Sequence, residues 1–187
     1  MNSLIETSRL RLRDFIKEDW ESIHIYASNK DVVKFMEWGP NTEEDTKNFI
    51  SMAIYSQKQS PRDNYDLAVI LKETGKLIGG GTINVYNRKN KDGLIGYCFN
   101  PNYWRMGYAT ELAEGLLHFG FKELKLHRIH ATCDIKNIGS AKVLEKIGMK
   151  REGHLREHIW ISDRWRDSYL YSILDREQKE LGISYNT

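Results

Sequence analysis

The chain has 187 residues, with 28 Lys and Arg against 26 Asp and Glu, 40% hydrophobic residues and only 3 prolines. That length suits one domain spanning residues 1–187, and a net charge of +2 lacks the basic excess with which nucleic-acid binders neutralise phosphates, so no direct nucleic-acid partner is expected. No run approaches the ~18 apolar residues of a membrane helix, the start Met1-Asn2-Ser3-Leu4-Ile5-Glu6 lacks the plan of a secretory signal, and Cys98 and Cys133 have no CxxC spacing. A cytoplasmic protein with no membrane partner is the expectation, its cysteines acting as small core hydrophobes.

Arg9-Leu10-Arg11-Leu12-Arg13 alternates charged with apolar, the period of a half-buried strand whose arginines line a solvated face. Residues from about Lys17 to Ser28 carry Trp20, Ile23 and Ala27 at helical spacing, and Asn41-Thr42-Glu43-Glu44 opens a second helix that runs to about Gln59. Leu67 to Leu71 and Lys76 to Val85 predict a hairpin about Glu73-Thr74-Gly75, with Gly79-Gly80-Gly81 marking a bulge or a close backbone approach. Past the basic turn Asn87 to Lys91 comes a third strand, Leu94 to Phe99. Ala109, Leu112, Ala113, Leu116, Leu117 and Gly120 then fall on one continuous face of a long helix. Ile129, Ala131 and Cys133 alternate as a strand, a short helix buries Val143, Leu144 and Ile147 before Gly148 as its C′ residue, and strands over Gly153 to Ile161 and Asp167 to Asp175 meet at a turn near Asp163.

Chemistry concentrates where the third strand joins the long helix, in Asn100-Pro101-Asn102-Tyr103-Trp104-Arg105-Met106-Gly107-Tyr108-Ala109-Thr110-Glu111. A helix N-terminus gathers unpaired backbone N–H groups and the positive end of the dipole, which suits an anion. Gly107 lets the backbone come close, Ala109 leaves room for a bulky phosphate, and Arg105 adds a charged donor. The GK[ST] ending of a P-loop is missing, as is GxGxxG. A second segment, Asn137-Ile138-Gly139-Ser140 through Gly148-Met149, follows a strand and opens a short helix.

Together the two segments resemble the GNAT superfamily of acetyl-CoA-dependent N-acetyltransferases, whose members carry [RQ]-x-x-G-x-[GA] and, further on, N-x-x-S. Gly107, Ala109, Asn137, Ser140 and Gly148 match, whereas Trp104 stands where the general pattern has Arg or Gln. Tyr103-Trp104-Arg105-Met106-Gly107-Tyr108-Ala109-Thr110-Glu111 is similar to the form found in ribosomal-protein-alanine N-acetyltransferases. So are Thr7 to Arg13, Phe35 to Pro40, Ile95-Gly96-Tyr97 and Arg164 to Asp167, in the order of that branch.

The resemblance implies an α/β (α+β) fold: a mixed, mostly antiparallel sheet of about seven strands with helices on both faces. It also implies acetyl transfer from acetyl-CoA to a primary amine, most readily the N-terminal amine of a protein such as a ribosomal protein. The third strand would splay from the next at a bulge, with backbone groups of Tyr97, Cys98 and Phe99 holding the pantetheine arm and polarising the acetyl carbonyl. Arg105, Met106, Gly107, Tyr108, Ala109 and Thr110 would cradle the pyrophosphate. Asn137 would bond the pantetheine end, with Lys142 or Lys146 in reach of a phosphate. Ser140 is the candidate beside the leaving sulfur, with capping of the helix as its other reading. Relatives place Glu before Ile-Gly-Tyr as the base; this chain has Leu94. Glu157 is the substitute, since strand alternation turns only one of Glu157 and His158 into the cleft. Trp38 would wall the acceptor channel, beside Glu37 to attract a cationic amine.

No metal site is expected: His127 and His130 point to opposite faces of a strand, and His154 and His158 lie about 13 Å apart at strand rise. No His or Asn spacing supports a Cys133 nucleophile. The rival activities are acetylation of a small amine, such as a polyamine, and a noncatalytic acyl-CoA-binding module. A homodimer is compatible with the sequence and not required by it.

Overall fold

In the computed structural model, which describes residues 3–161 and 163–180, the alternating N-terminal segment forms strand β2 (Leu10–Asp14) with Leu10 and Leu12 buried. A two-residue strand β1 (Ile5–Glu6) pairs with it. The arginines of β2 are not uniformly solvated. Arg13 lies 2.7 Å from Asp19 in a largely shielded pair, because a 3-10 turn at Lys17–Asp19 folds back over the strand.

Helices α1 (Trp20–Ala27), α2 (Lys30–Val33) and α3 (Glu43–Ser56) follow. The Thr42 hydroxyl accepts the Asp45 N–H at 3.2 Å and the Asp45 carboxylate accepts the Thr42 N–H at 2.9 Å, a reciprocal cap that sets the start of α3. Strands β3 (Asn64–Leu71), β4 (Leu77–Asn87) and β5 (Asp92–Phe99) form an antiparallel meander. Both readings of the glycine run hold. The register of β3 against β4 shifts between Val69 and Ile70, beside Gly79, and a Cβ on Gly79 would sit 2.5 Å from the Cys98 carbonyl oxygen.

Next come α4 (Tyr108–Lys122), β6 (Arg128–Asp134), α5 (Ile138–Lys146), β7 (Lys150–Ile161), β8 (Arg164–Leu174) and α6 (Asp175–Glu180). The sheet has eight strands in the order β1-β2-β3-β4-β5-β6-β8-β7. Among the described strands only β5 and β6 run parallel. The predicted apolar face of α4, Leu112, Ala113, Leu116, Leu117 and Gly120, is buried against one side of the sheet, each large aliphatic contributing about 1.5–3 kcal/mol. Helices α1 to α3 cover the other side, where Phe15, Ile23, Tyr26, Val33 and Ile50 meet Ala68 and Ile70 of β3. Gly148 closes α5 at φ 84°, with the Met149 N–H donating to the Leu144 carbonyl at 3.0 Å. Among the described residues no helix is long and apolar enough to cross a membrane.

Candidate active site

The two parallel strands stay together for three residue pairs, Asp92 with Arg128, Gly93 with Ile129 and Leu94 with His130, and then part. Strand β5 keeps its partner β4 without a register shift from Gly93 to Phe99, and β6 keeps β8 from Arg128 to Asp134. Sheet twist carries the two halves away from each other. The bulge expected in the third strand is therefore absent, and the splay arises because each strand follows its other neighbour. The gap exposes backbone groups of Ile95 to Phe99, which seek hydrogen-bond partners.

Beyond the gap, β5 feeds α4 and β6 feeds α5, so both helix N-termini lie at the ends of the strands that flank it. Arg105 at φ 61° and Gly107 at φ 82° turn the chain tightly into α4. The first-turn amides of α4 lack carbonyl partners within the helix. The Trp104 indole N–H donates to the Phe99 carbonyl at 2.9 Å. Trp104, which replaces the Arg or Gln of the general pattern, thus ties the loop to the end of β5. Phe99 itself is buried in the core, and that carbonyl is already engaged.

Arg9 braces the same loop from 98 positions earlier (107 − 9 = 98). Its Nε donates to Glu111 Oε2 at 2.7 Å, Nη1 donates to the Met106 carbonyl at 3.0 Å, and the guanidinium stacks 4.5 Å from the Tyr108 ring centroid. Glu111 Oε1 also accepts from the Thr7 hydroxyl at 2.6 Å and from the Arg9 N–H at 2.7 Å. A carboxylate at an anion-binding helix start would repel a diphosphate; here it is neutralised and turned toward β2. Burial raises the Glu111 pKa, but the Thr7 hydroxyl and Arg9 outweigh it, so the net shift is downward. A depressed folded-state pKa supplies stability above the ordinary carboxylate range that is lost as pH falls through the folded value. Glu111→Gln is accordingly expected to lower Tm by about 4–8 °C at pH 7, the gap to wild type narrowing in thermal melts as pH falls below the ordinary carboxylate range.

Asn137 caps α5, its Oδ1 accepting the Ser140 N–H at 3.1 Å. Ser140 is not the cap. Its hydroxyl lies 3.1 Å from the Tyr97 phenol oxygen, so the structure joins two residues, from β5 and α5, at the gap. Burial pushes the phenol pKa of Tyr97 well up, leaving a protonated donor at neutral pH. Burial likewise pushes the Cys98 thiol up to about 12 and the Cys133 thiol up to about 11. Neither is a thiolate nucleophile.

Glu157 is placed differently from the strand reading. The register of β7 against β8 breaks between Leu155 and Ile159, and Glu157 adopts φ 48° in an exposed bulge. Alternation does not extend through such a bulge. Its backbone N–H donates to Asp167 Oδ1 at 2.9 Å, while Tyr97 and Ser140 are bonded to each other across the gap. Glu37 meets Arg166 at 3.4 Å. Arg166, buried with 3% exposure, also donates to the Phe35 carbonyl at 3.1 Å and to Ser168 at 3.2 Å. It pins the Glu37-Trp38 loop to β8 and draws on the charge proposed for an incoming amine. Sequence reading noted Arg166 only as part of a motif.

A family model of the acetyltransferase (GNAT) domain matches residues 9–150. The chain belongs to the GNAT acetyltransferase family. It is 41% identical over 174 residues to the uncharacterized N-acetyltransferase YnaD of Bacillus subtilis (strain 168), covering 92% of this chain and 98% of the relative. The crystal structure of a GNAT-family acetyltransferase from Bacillus anthracis superposes with a TM-score of 0.82 at 42% identity, over 92% of this chain and 99% of that one. The spermidine N(1)-acetyltransferase of Vibrio cholerae is 26% identical over 161 residues, 86% of this chain and 90% of the relative. Acetyl transfer from acetyl-CoA is the activity that this GNAT membership supports.

Proposed function

We propose that this chain transfers the acetyl group of acetyl-CoA to the N-terminal amine of a protein, such as a ribosomal protein, in the cytoplasm. The observation that carries the donor half is the parting of β5 from β6 beneath two helix N-termini. In this reading the diphosphate lies on the Arg105–Thr110 turn, the pantetheine runs along Tyr97 to Phe99, and Asn137 fixes the start of α5. The Tyr97–Ser140 pair donates toward the departing thiolate.

The acceptor half rests on the motifs of the N-terminal branch and on an open rim. Trp38, Trp160 and Trp165 are 42%, 55% and 54% exposed, and Arg166 joins the Trp38 loop to the strand that carries Trp165. A polypeptide end fits such an opening. Acetylation of a polyamine is the second reading, favoured by the likeness to the spermidine enzyme. Intact-mass analysis after incubation with acetyl-CoA separates them. The first predicts a mass gain on Ser- and Ala-initiated peptides, with lysine-blocked and unblocked forms gaining alike. A gain confined to spermidine would overturn it.

A further inference from the structure

Taking up the proton of the attacking amine requires an acceptor group, and Leu94 supplies none. On the face of the sheet opposite α4, one polar-headed row of residues leads toward the gap. The registers align Asp66 of β3 with Thr82 of β4, and Thr82 with Gly96 of β5. Their chain neighbours Leu67, Ile83 and Ile95 belong to the α4 core, so alternation turns these three the other way. Gly96 is two residues past Leu94, the last β5 residue paired with β6. The row therefore ends at the edge of the gap, on a residue with no side chain.

Thr82 is the link. Its hydroxyl donates to Asn84 Oδ1 at 3.2 Å, and the register sets Asp66 directly opposite it on the neighbouring strand and the same face, at the spacing of a cross-strand pair. Strands lie about 4.8 Å apart, so the hydroxyl stands one strand spacing from the space over Gly96. The other carboxylates around this face are committed. Asp92 is held by Arg128 at 3.0 Å and His130 at 3.1 Å, Glu152 by Arg128 at 2.7 Å, and Asp134 by the Lys136 N–H at 2.8 Å. Arg62, whose field reaches Asp66, spends its guanidinium on Asp14 at 2.6 Å.

We propose that Asp66, acting through the Thr82 hydroxyl, is the base of the acetyl transfer. The assignment rests on the acetyl-transfer reading above. The amine lone pair forms the N–C bond to the thioester carbonyl carbon. The Thr82 hydroxyl rotates from Asn84 toward Asp66, and one N–H proton passes to the Thr82 oxygen while Thr82 passes its own to the Asp66 carboxylate. Collapse of the tetrahedral intermediate breaks the C–S bond, and the thiolate takes a proton from the Tyr97–Ser140 pair. Solvent returns the Asp66 proton to that pair, so the cycle closes on acetylated amine and free thiol.

The titration of Asp66 is governed by burial, which raises its pKa, against the Thr82 hydroxyl and Arg62, which lower it; the net direction is upward. Among the ionisable groups of the elements packed on this face, burial keeps Tyr26 of α1 and Cys98 of β5 protonated, Arg13 of β2 is paired with Asp19, and His130 of β6 is bonded to Asp92. A raised carboxylate is better matched to proton abstraction near neutral pH.

The test compares wild type, Asp66→Asn and Thr82→Val by pH profiles of kcat/KM, using an Ala-initiated peptide and spermidine as acceptors, with acetyl-CoA affinity measured by calorimetry. Asp66→Asn is expected to lower kcat/KM for the amine about 100-fold at pH 7. Its acidic limb should move up to the pKa of the amine itself, with acetyl-CoA affinity changed less than about twofold. Thr82→Val, nearly isosteric, should move the limb the same way and keeps the question answerable if Asp66→Asn does not fold. An unmoved limb in both variants, with kcat/KM within about threefold of wild type, overturns the assignment alone. Wild-type protein that binds acetyl-CoA and acetylates neither amine overturns the transfer reading and this assignment together.

Discussion

Gly107→Val is expected to weaken acetyl-CoA binding about 100-fold while leaving the fold intact. Gly107 stands at φ 82° as the residue that caps α4, and left-handed geometry costs an L-residue roughly 1–2 kcal/mol, more when it is β-branched. A Cβ there would also sit 3.3 Å from Arg9 Nη2. The turn relieves this by rotating toward negative φ, which swings the first α4 amides off the diphosphate. Losing one or two charge-assisted hydrogen bonds of about 1.5–3 kcal/mol each corresponds to a factor of about 100 in Kd. Calorimetric titration measures it. Ordinary affinity in this variant would mean that the diphosphate lies elsewhere.

Ser140→Ala should act on the chemical step instead. Asn137 supplies the cap of α5 through the Ser140 backbone N–H, so removing the hydroxyl leaves the helix start in place. The Tyr97 phenol keeps a contact to the Ser140 carbonyl at 3.4 Å, so no buried donor is stranded. In the proposed mechanism the lost function is a proton for the departing thiolate, a contribution of the general-acid kind. A fall in kcat of about 100-fold with KM for acetyl-CoA within about twofold is the expected result. Tyr97→Phe should give a similar loss, and the double variant little more, because the two hydroxyls act as one unit. Stopped-flow or steady-state thiol release reports each value, and a KM-dominated defect would assign Ser140 to binding.

Local patterns were legible in the sequence because they are set by neighbours in the chain. The apolar face of α4, the alternation of β6 and the glycine after α5 all reappear in the structure where the periodicities place them. Contacts between distant segments left no such trace. The Arg9–Glu111 pair spans 102 positions and Tyr97–Ser140 spans 43; nothing in a local window couples them. The bulge at Arg156 to His158 defeats strand alternation, which is why the geometry of Glu157 was not foreseen. The alignment of Asp66 with Gly96 depends on two strand registers at once. The N-terminal motif Thr7-Ser8-Arg9 held the one usable signal for the brace, since its polar residues precede a strand whose apolar side is plain.

The central claim is that amides at the start of α4 hold the diphosphate and so direct the thioester into the gap between β5 and β6. Titrating the protein with acetyl-CoA and, separately, with S-acetylpantetheine, which lacks the diphosphate, tests it most directly. The account predicts saturable heat with acetyl-CoA and affinity about 100-fold weaker for the truncated thioester. Equal affinity for the two, or no heat with acetyl-CoA, would contradict it.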